Sequence, residues 1–106
     1  MKGVILLTNL PSMEVAKNIA HGLVENRFAA CVSIVPSIRS VYSWKGEIYD
    51  EEEFMLLIKT REEKYKQAEA FIKKHHPYEL PEIISLKISD ALKDYMKWIF
   101  DETDSK

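Results

Sequence analysis

Phe54-Met55-Leu56-Leu57-Ile58 is apolar at five successive positions, and the way that run is buried decides the fold. A strand with one wet face alternates apolar and polar residues, whereas an unbroken apolar run buries both of its faces. On its N-terminal side Glu47 to Asp50 keep alternation, and Glu51, Glu52 and Glu53 form an acidic cluster. Carboxylates adjacent along a strand point to opposite faces, so the cluster reads as a solvated edge that discourages unwanted pairing rather than as a hard-cation site. On its C-terminal side Thr60 and Glu63 have the spacing of a capping box and predict a helix starting at residue 61. Tyr65, Ala68 and Ile72, with Phe71 beside them, supply the buried stripe of that helix.

Further out, Gly3 to Asn9 has buried-strand character and is broken by Pro11 and Ser12. From Ser12, an N-cap residue, Val15, Ala16, Ile19, Ala20, Leu23 and Val24 recur at helical spacing. His21 lies off that stripe, and Asn26, which tolerates the left-handed conformation, is expected to end the helix. Phe28 to Val35 reads as a second strand; after the Pro36 interruption, Ile38, Tyr42 and Trp44 continue an extended segment to a Lys45-Gly46 turn. Ile84, Leu86 and Ile88 alternate with Ser85 and Lys87, which predicts a strand with one buried face, and Asp90 is placed to cap a last helix whose Leu92, Tyr95, Met96 and Ile99 share a face. The resulting order predicts an α+β domain over residues 1–106: a ferredoxin-like split βαβ sandwich (βαββαβ) with an added C-terminal helix. Helices over residues 12–26 and 62–75 can cover only one face of its four-stranded sheet. The other face needs a second cover, and another copy of the same chain is the simplest one.

Composition removes several classes. The chain has 106 residues, enough for one self-supporting core, and carries 15 Lys plus Arg against 17 Asp plus Glu, a net charge of −2 with the signs interspersed. Neither nucleic acid nor anionic membrane is an expected partner. The apolar run Val4-Ile5-Leu6-Leu7 is too short for the hydrophobic region of a signal sequence, and no stretch has the length of a transmembrane helix. Cys31 is the single cysteine, so no intrachain disulfide forms and a reducing cytoplasmic setting is the expectation.

The segment His75-His76-Pro77-Tyr78-Glu79-Leu80-Pro81-Glu82 packs imidazoles, carboxylates and a phenol around two prolines. Pro77 pushes His76 out of the α region and ends the incoming helix, so these side chains sit on a stiff bend. Imidazole is the commonest side-chain ligand for borderline transition metals, which makes a metal contact at His75 and His76 one reading. The other is that the histidines are solvated and His75 merely complements the negative helix end.

Ala29-Ala30-Cys31, Ser40-Val41-Tyr42-Ser43-Trp44-Lys45-Gly46, Lys59-Thr60, His75-His76-Pro77-Tyr78, Pro81-Glu82 and Tyr95-Met96-Lys97-Trp98 fall in the order and spacing of the CutA divalent-cation-tolerance family, which this chain resembles along nearly its whole length. The resemblance implies a ferredoxin-like homotrimer with sheets paired edge to edge, copper or related divalent cations bound in some members, and an architecture similar to PII-like signalling proteins. It also implies copper ligands at a cysteine ending the first strand and at the two histidines before Pro-Tyr. His75 and His76 match, but Thr8 stands at the cysteine position, leaving a harder site suited to Cu(II) or another divalent cation such as Zn(II). Neighbouring histidines on a helix diverge, so a third ligand from another subunit would be needed. Cys31, in an apolar strand, reads as a core thiol.

Trp44, Lys59, Tyr78, Glu82 and Trp98 resemble the family's cleft between subunits, where aromatic walls and a few charges suit a small ligand or peptide. The competing reading makes the aromatics an interface and pairs Lys59 with Glu82. No catalytic constellation emerges: there is no glycine-rich phosphate loop and no nucleophile with an identifiable base, and Asn9-Leu10-Pro11-Ser12 lacks the arginine an acylphosphatase-type anion loop needs. The expectation is a cytoplasmic, non-enzymatic homotrimer that binds divalent metal, copper foremost, with no organic cofactor. The alternative is a PII-like regulatory or scaffold trimer that binds a small molecule or partner protein in its clefts.

Overall fold

The computed structural model describes residues 1–104. Four strands, β1 (Gly3–Leu10), β2 (Cys31–Trp44), β3 (Glu47–Arg61) and β4 (Ile84–Lys87), form one sheet in the order β2-β3-β1-β4, with every neighbouring pair antiparallel. Helices α1 (Met13–Glu25) and α2 (Tyr65–His75) make the crossovers, and α3 (Lys93–Glu102) follows β4. Each crossover skips one strand, which is the split βαβ arrangement, and the expected ferredoxin-like class with an added helix is the one found.

The period-2 alternation of β-structure sorts the sheet residues. Val4, Leu6 and Leu10 of β1 and Leu56 and Ile58 of β3 point to one face and close a core with Ala16, Ile19 and Leu23 of α1 and Ala68 and Ile72 of α2. Ser12 caps α1 by accepting the Val15 N–H at 3.2 Å. At the other end Arg27, not Asn26, takes the left-handed conformation (φ 61°). The Phe28 N–H bonds to the Leu23 carbonyl and the Arg27 N–H to that of Val24, closing a Schellman cap. Gly22 lets the helices touch, since a Cβ there would stand 2.2 Å from the Phe71 ring.

Several local expectations are corrected. Thr60 does not cap a helix: it lies in β3, and its hydroxyl donates to the Phe28 carbonyl at 2.8 Å, satisfying an acceptor left by the cap of α1. A 3-10 turn over Glu62–Lys64 intervenes, and α2 starts only at Tyr65. β2 starts at Cys31 rather than Phe28 and passes Pro36 unbroken, the irregularity being absorbed by a register shift between Val35 and Ile38. The N-cap of α3 is Leu92, not Asp90, and no side chain bonds there.

The second face of the sheet is covered unevenly. There α3 packs across the end formed by Gly3 and Arg61: a Cβ on Gly3 would stand 2.7 Å from the Met96 thioether, and the Arg61 guanidinium bonds the Phe100 carbonyl and the Thr103 hydroxyl. Beyond the helix, Ile84 and Leu86 are 45% and 51% exposed, so β4 lacks the buried face expected of it. Past Ile38 and Glu53 the β2–β3 hairpin continues as a two-stranded arm to a Lys45-Gly46 turn with φ of 51° and 83°. Positive φ at both central residues matches the twist of a tight hairpin, and glycine takes it without strain.

Candidate functional site

Two elements meet at one end of the sheet: the base of the arm and the loop from α2 to β4. Pro77 sets the geometry of the loop, holding His76 in extended backbone (φ −79°, ψ 132°) as the C-cap of α2. The two histidines are thereby separated. His76 turns inward, is 8% exposed, and places Nε2 2.8 Å from the Asn9 carbonyl oxygen. A carbonyl can only accept, so Nε2 carries the proton and Nδ1 accepts the Tyr78 backbone N–H at 3.2 Å. Burial drives the pKa of this ring below the ordinary histidine value, outweighing the Asn9 bond that favours the charged form. His76 is thus a neutral imidazole with both nitrogens engaged. His75 stays exposed in the last turn of α2, its ring 4.4 Å from that of Phe71.

Thr8 is fully buried, and its hydroxyl has no hydrogen-bond partner among the described residues. Its alternation in β1 puts it on the face that α1 and α2 cover, away from Asn9. Among the described residues no group of three or more His, Cys, Asp or Glu side chains is arranged to hold a metal ion.

Tyr78 turns from the loop toward the sheet and donates its hydroxyl proton to the Glu53 carboxylate at 2.7 Å. Burial raises the phenol pKa, and the Glu53 bond adds to the shift. Glu53 is only 4% exposed, so it departs from the solvated edge expected of its cluster and anchors the loop to the arm. Further along the arm, Tyr42 donates to Glu51 at 2.5 Å, which pushes its pKa up to about 12, and stacks on Tyr49 with centroids 5.3 Å apart.

Between arm and loop lies a cleft of roughly 680 Å³. Trp44, Tyr78 and Glu82 line it, as do Asn9, Tyr42 and Glu53. Of the five residues expected at a cleft between subunits, Trp44, Tyr78 and Glu82 share this intrachain cleft, while Lys59 and Trp98 lie elsewhere on the same chain. Lys59 donates to Ser33 at 2.5 Å and lies 3.7 Å from the Cys31 sulfur. Trp98 sits on α3, 41% exposed, with its ring 5.6 Å from that of Tyr95. Sequence reasoning missed Asn9, Tyr42 and Glu53. Glu53 was detectable only through its odd-numbered parity with Met55 and Leu57, which puts its side chain on the face that Tyr78 approaches.

Fold and site together define a ferredoxin-like α+β domain with an aromatic, acidic cleft beside a proline-fixed histidine bend. Residues 4–102 match the model of the family described as CutA1 divalent ion tolerance protein, and the chain belongs to that family. It is 43% identical over 103 residues to the divalent-cation tolerance protein CutA of Thermus thermophilus, covering 97% of this chain and 99% of that one. It is 39% identical to the human protein CutA over 90% of this chain, but spans only 53% of the human protein. Among solved structures, a divalent cation tolerance protein from Thermus thermophilus superposes with a TM-score of 0.93 at 40% identity, covering 96% of this chain and 99% of that one. CutA1 from Oryza sativa gives 0.95 at 33% identity, covering 100% and 97%. The family's name ties the chain to divalent-cation tolerance.

Proposed function

We propose that the chain serves divalent-cation tolerance as a non-enzymatic cytoplasmic homotrimer that takes up a divalent metal ion, Cu(II) foremost, with His75 as its imidazole contact and the remaining ligands supplied by a neighbouring copy. The observation that carries the metal contact is the contrast between the two histidines. His76 spends both nitrogens inside the protein, whereas the exposed ring of His75 makes no hydrogen bond among the described residues. Oxygen and imidazole donors without thiolate favour Cu(II) or Zn(II) over Cu(I). Self-association is supported by the half-exposed Ile84 and Leu86 and by Val41 and Ile48 on the arm, 65% and 74% exposed. The half-buried lone thiol of Cys31 suits a reducing compartment.

Calorimetry of metal-free protein with Cu(II) tests the reading. His75→Ala is expected to abolish the tightest event, while His76→Ala lowers stability and leaves the affinity of the folded protein nearly intact. Binding should weaken as the pH falls, because an imidazole must be neutral to coordinate a metal. Unchanged affinity in His75→Ala rejects the assignment, and a monomer mass by light scattering rejects the trimer.

The cleft favours a second reading, a PII-like regulator or scaffold whose ligand is a small molecule. Weak metal binding together with ligand-dependent stabilisation would select it.

A further inference from the structure

We propose that the cleft between the arm and the Pro77 to Glu82 loop binds a small organic cation, an ammonium or guanidinium carried on a short apolar stem. The proposal rests on the cleft reading above and names its ligand class.

Three observations converge on it. Among the described residues, every charged side chain lining the cleft is a carboxylate: Glu53, Glu79 and Glu82. Asn9, which lines the cleft, is 9% exposed, and its side-chain oxygen has no hydrogen-bond partner among the described residues. A buried acceptor without a donor calls for a group rich in N–H, and ammonium and guanidinium are donors only. The third observation is an internal precedent. Lys45 holds its own ammonium 5.4 Å from the centroid of the Trp44 ring and 3.5 Å from the Glu79 carboxylate, joining the arm to the loop. Aromatic face and carboxylate therefore already accept a cation here, and the lysine side chain, 65% exposed, is free to leave.

The remaining walls fit the same chemistry. Tyr42 and Tyr78 give their hydroxyl protons to Glu51 and Glu53, so neither phenol has a proton left to offer an anion. A bare metal ion is poorly served, because the carboxylates are not gathered into a chelating group among the described residues. An organic cation meets all the features at once: N–H groups for Asn9 and the carboxylates, and positive charge with an apolar stem for the rings.

The test is calorimetric titration of the full chain with n-butylammonium and agmatine, matched against 1-butanol and butyrate. Saturable binding of the two cations, absent for the alcohol and the acid and weakened by salt, is expected. Glu53→Gln should weaken it about tenfold, as should Trp44→Leu. Lys45→Ala, an exposed change that leaves the fold alone, should strengthen it several-fold by removing the internal competitor. Equal binding of 1-butanol or butyrate overturns the cation assignment while leaving the cleft reading standing. No binding by any probe overturns both. Cation binding that is indifferent to Lys45→Ala, Glu53→Gln and Trp44→Leu places the contact outside this cleft and overturns the proposal.

Discussion

The two faces of the sheet carry almost the same proportion of apolar residues and have opposite fates. On the face that packs α1 and α2, Leu6, Leu10, Leu56 and Ile58 are completely buried. On the other, α3 shields one end and Ile84 and Leu86 stay about half exposed. The difference lies in helix length and placement rather than in hydrophobicity. α1 has 13 residues and α2 has 11, and together they span their face, while α3 has 10 and is anchored at one end by Arg61. A closed face supports the fold, and an open apolar one is available for association.

Substitution on the closed face should show the largest effect. Leu56→Ala removes a fully buried side chain and is expected to cost about 2–5 kcal/mol in urea unfolding. A loss under about 1 kcal/mol would mean that this face repacks freely. The matching change on the open face, Ile84→Asp, is expected to leave each chain folded by circular dichroism and to lower the mass of the proposed assembly in light scattering. An unchanged mass removes β4 from the interface.

A smaller effect belongs to His76. The folded-state pKa of His76 is depressed, so between that value and the unfolded value of about 6.5 the unfolded chain binds more protons than the native one. Stability from this group is present above about pH 6.5, declines as pH falls below it, and levels off below the folded pKa. His76→Gln should flatten that limb of the unfolding profile. An unchanged limb would show that the buried ring does not resist protonation in the folded chain.

The smallest effect belongs to the arm. Arg39 and Asp50 pair at 2.6 Å with both side chains more than half exposed. Solvent and salt screen such a pair, so Arg39→Ala should leave the unfolding midpoint within error. A clear shift would indicate that this pair is not screened by solvent as its exposure implies.

Much of this architecture was legible along the chain. Period and punctuation located every strand and helix, because Phe54 to Ile58 form an unbroken apolar run and Ile19 and Leu23 repeat at helical spacing whatever surrounds them. Boundaries were read less well where one side chain had two possible partners. Thr60 has the sequence of a helix cap, yet its hydroxyl bonds the Phe28 carbonyl, a group 32 residues away that local spacing cannot reveal. The site divides in the same way. His75, His76 and Tyr78 stood out because they flank Pro77, and Trp44 through the resemblance to the CutA family. Glu53 looked like one of three solvated carboxylates until the loop brought the Tyr78 hydroxyl to it across 25 positions.

The sequence by itself determined the class of fold, since alternation, helical spacing and proline breaks are local properties that each segment expresses on its own. Only the tertiary structure decided which of two adjacent imidazoles is open to solvent and which carboxylate is buried. Those outcomes depend on hydrogen bonds between residues far apart in the chain, and a donor or acceptor takes its role from whatever partner the fold brings within about 3 Å.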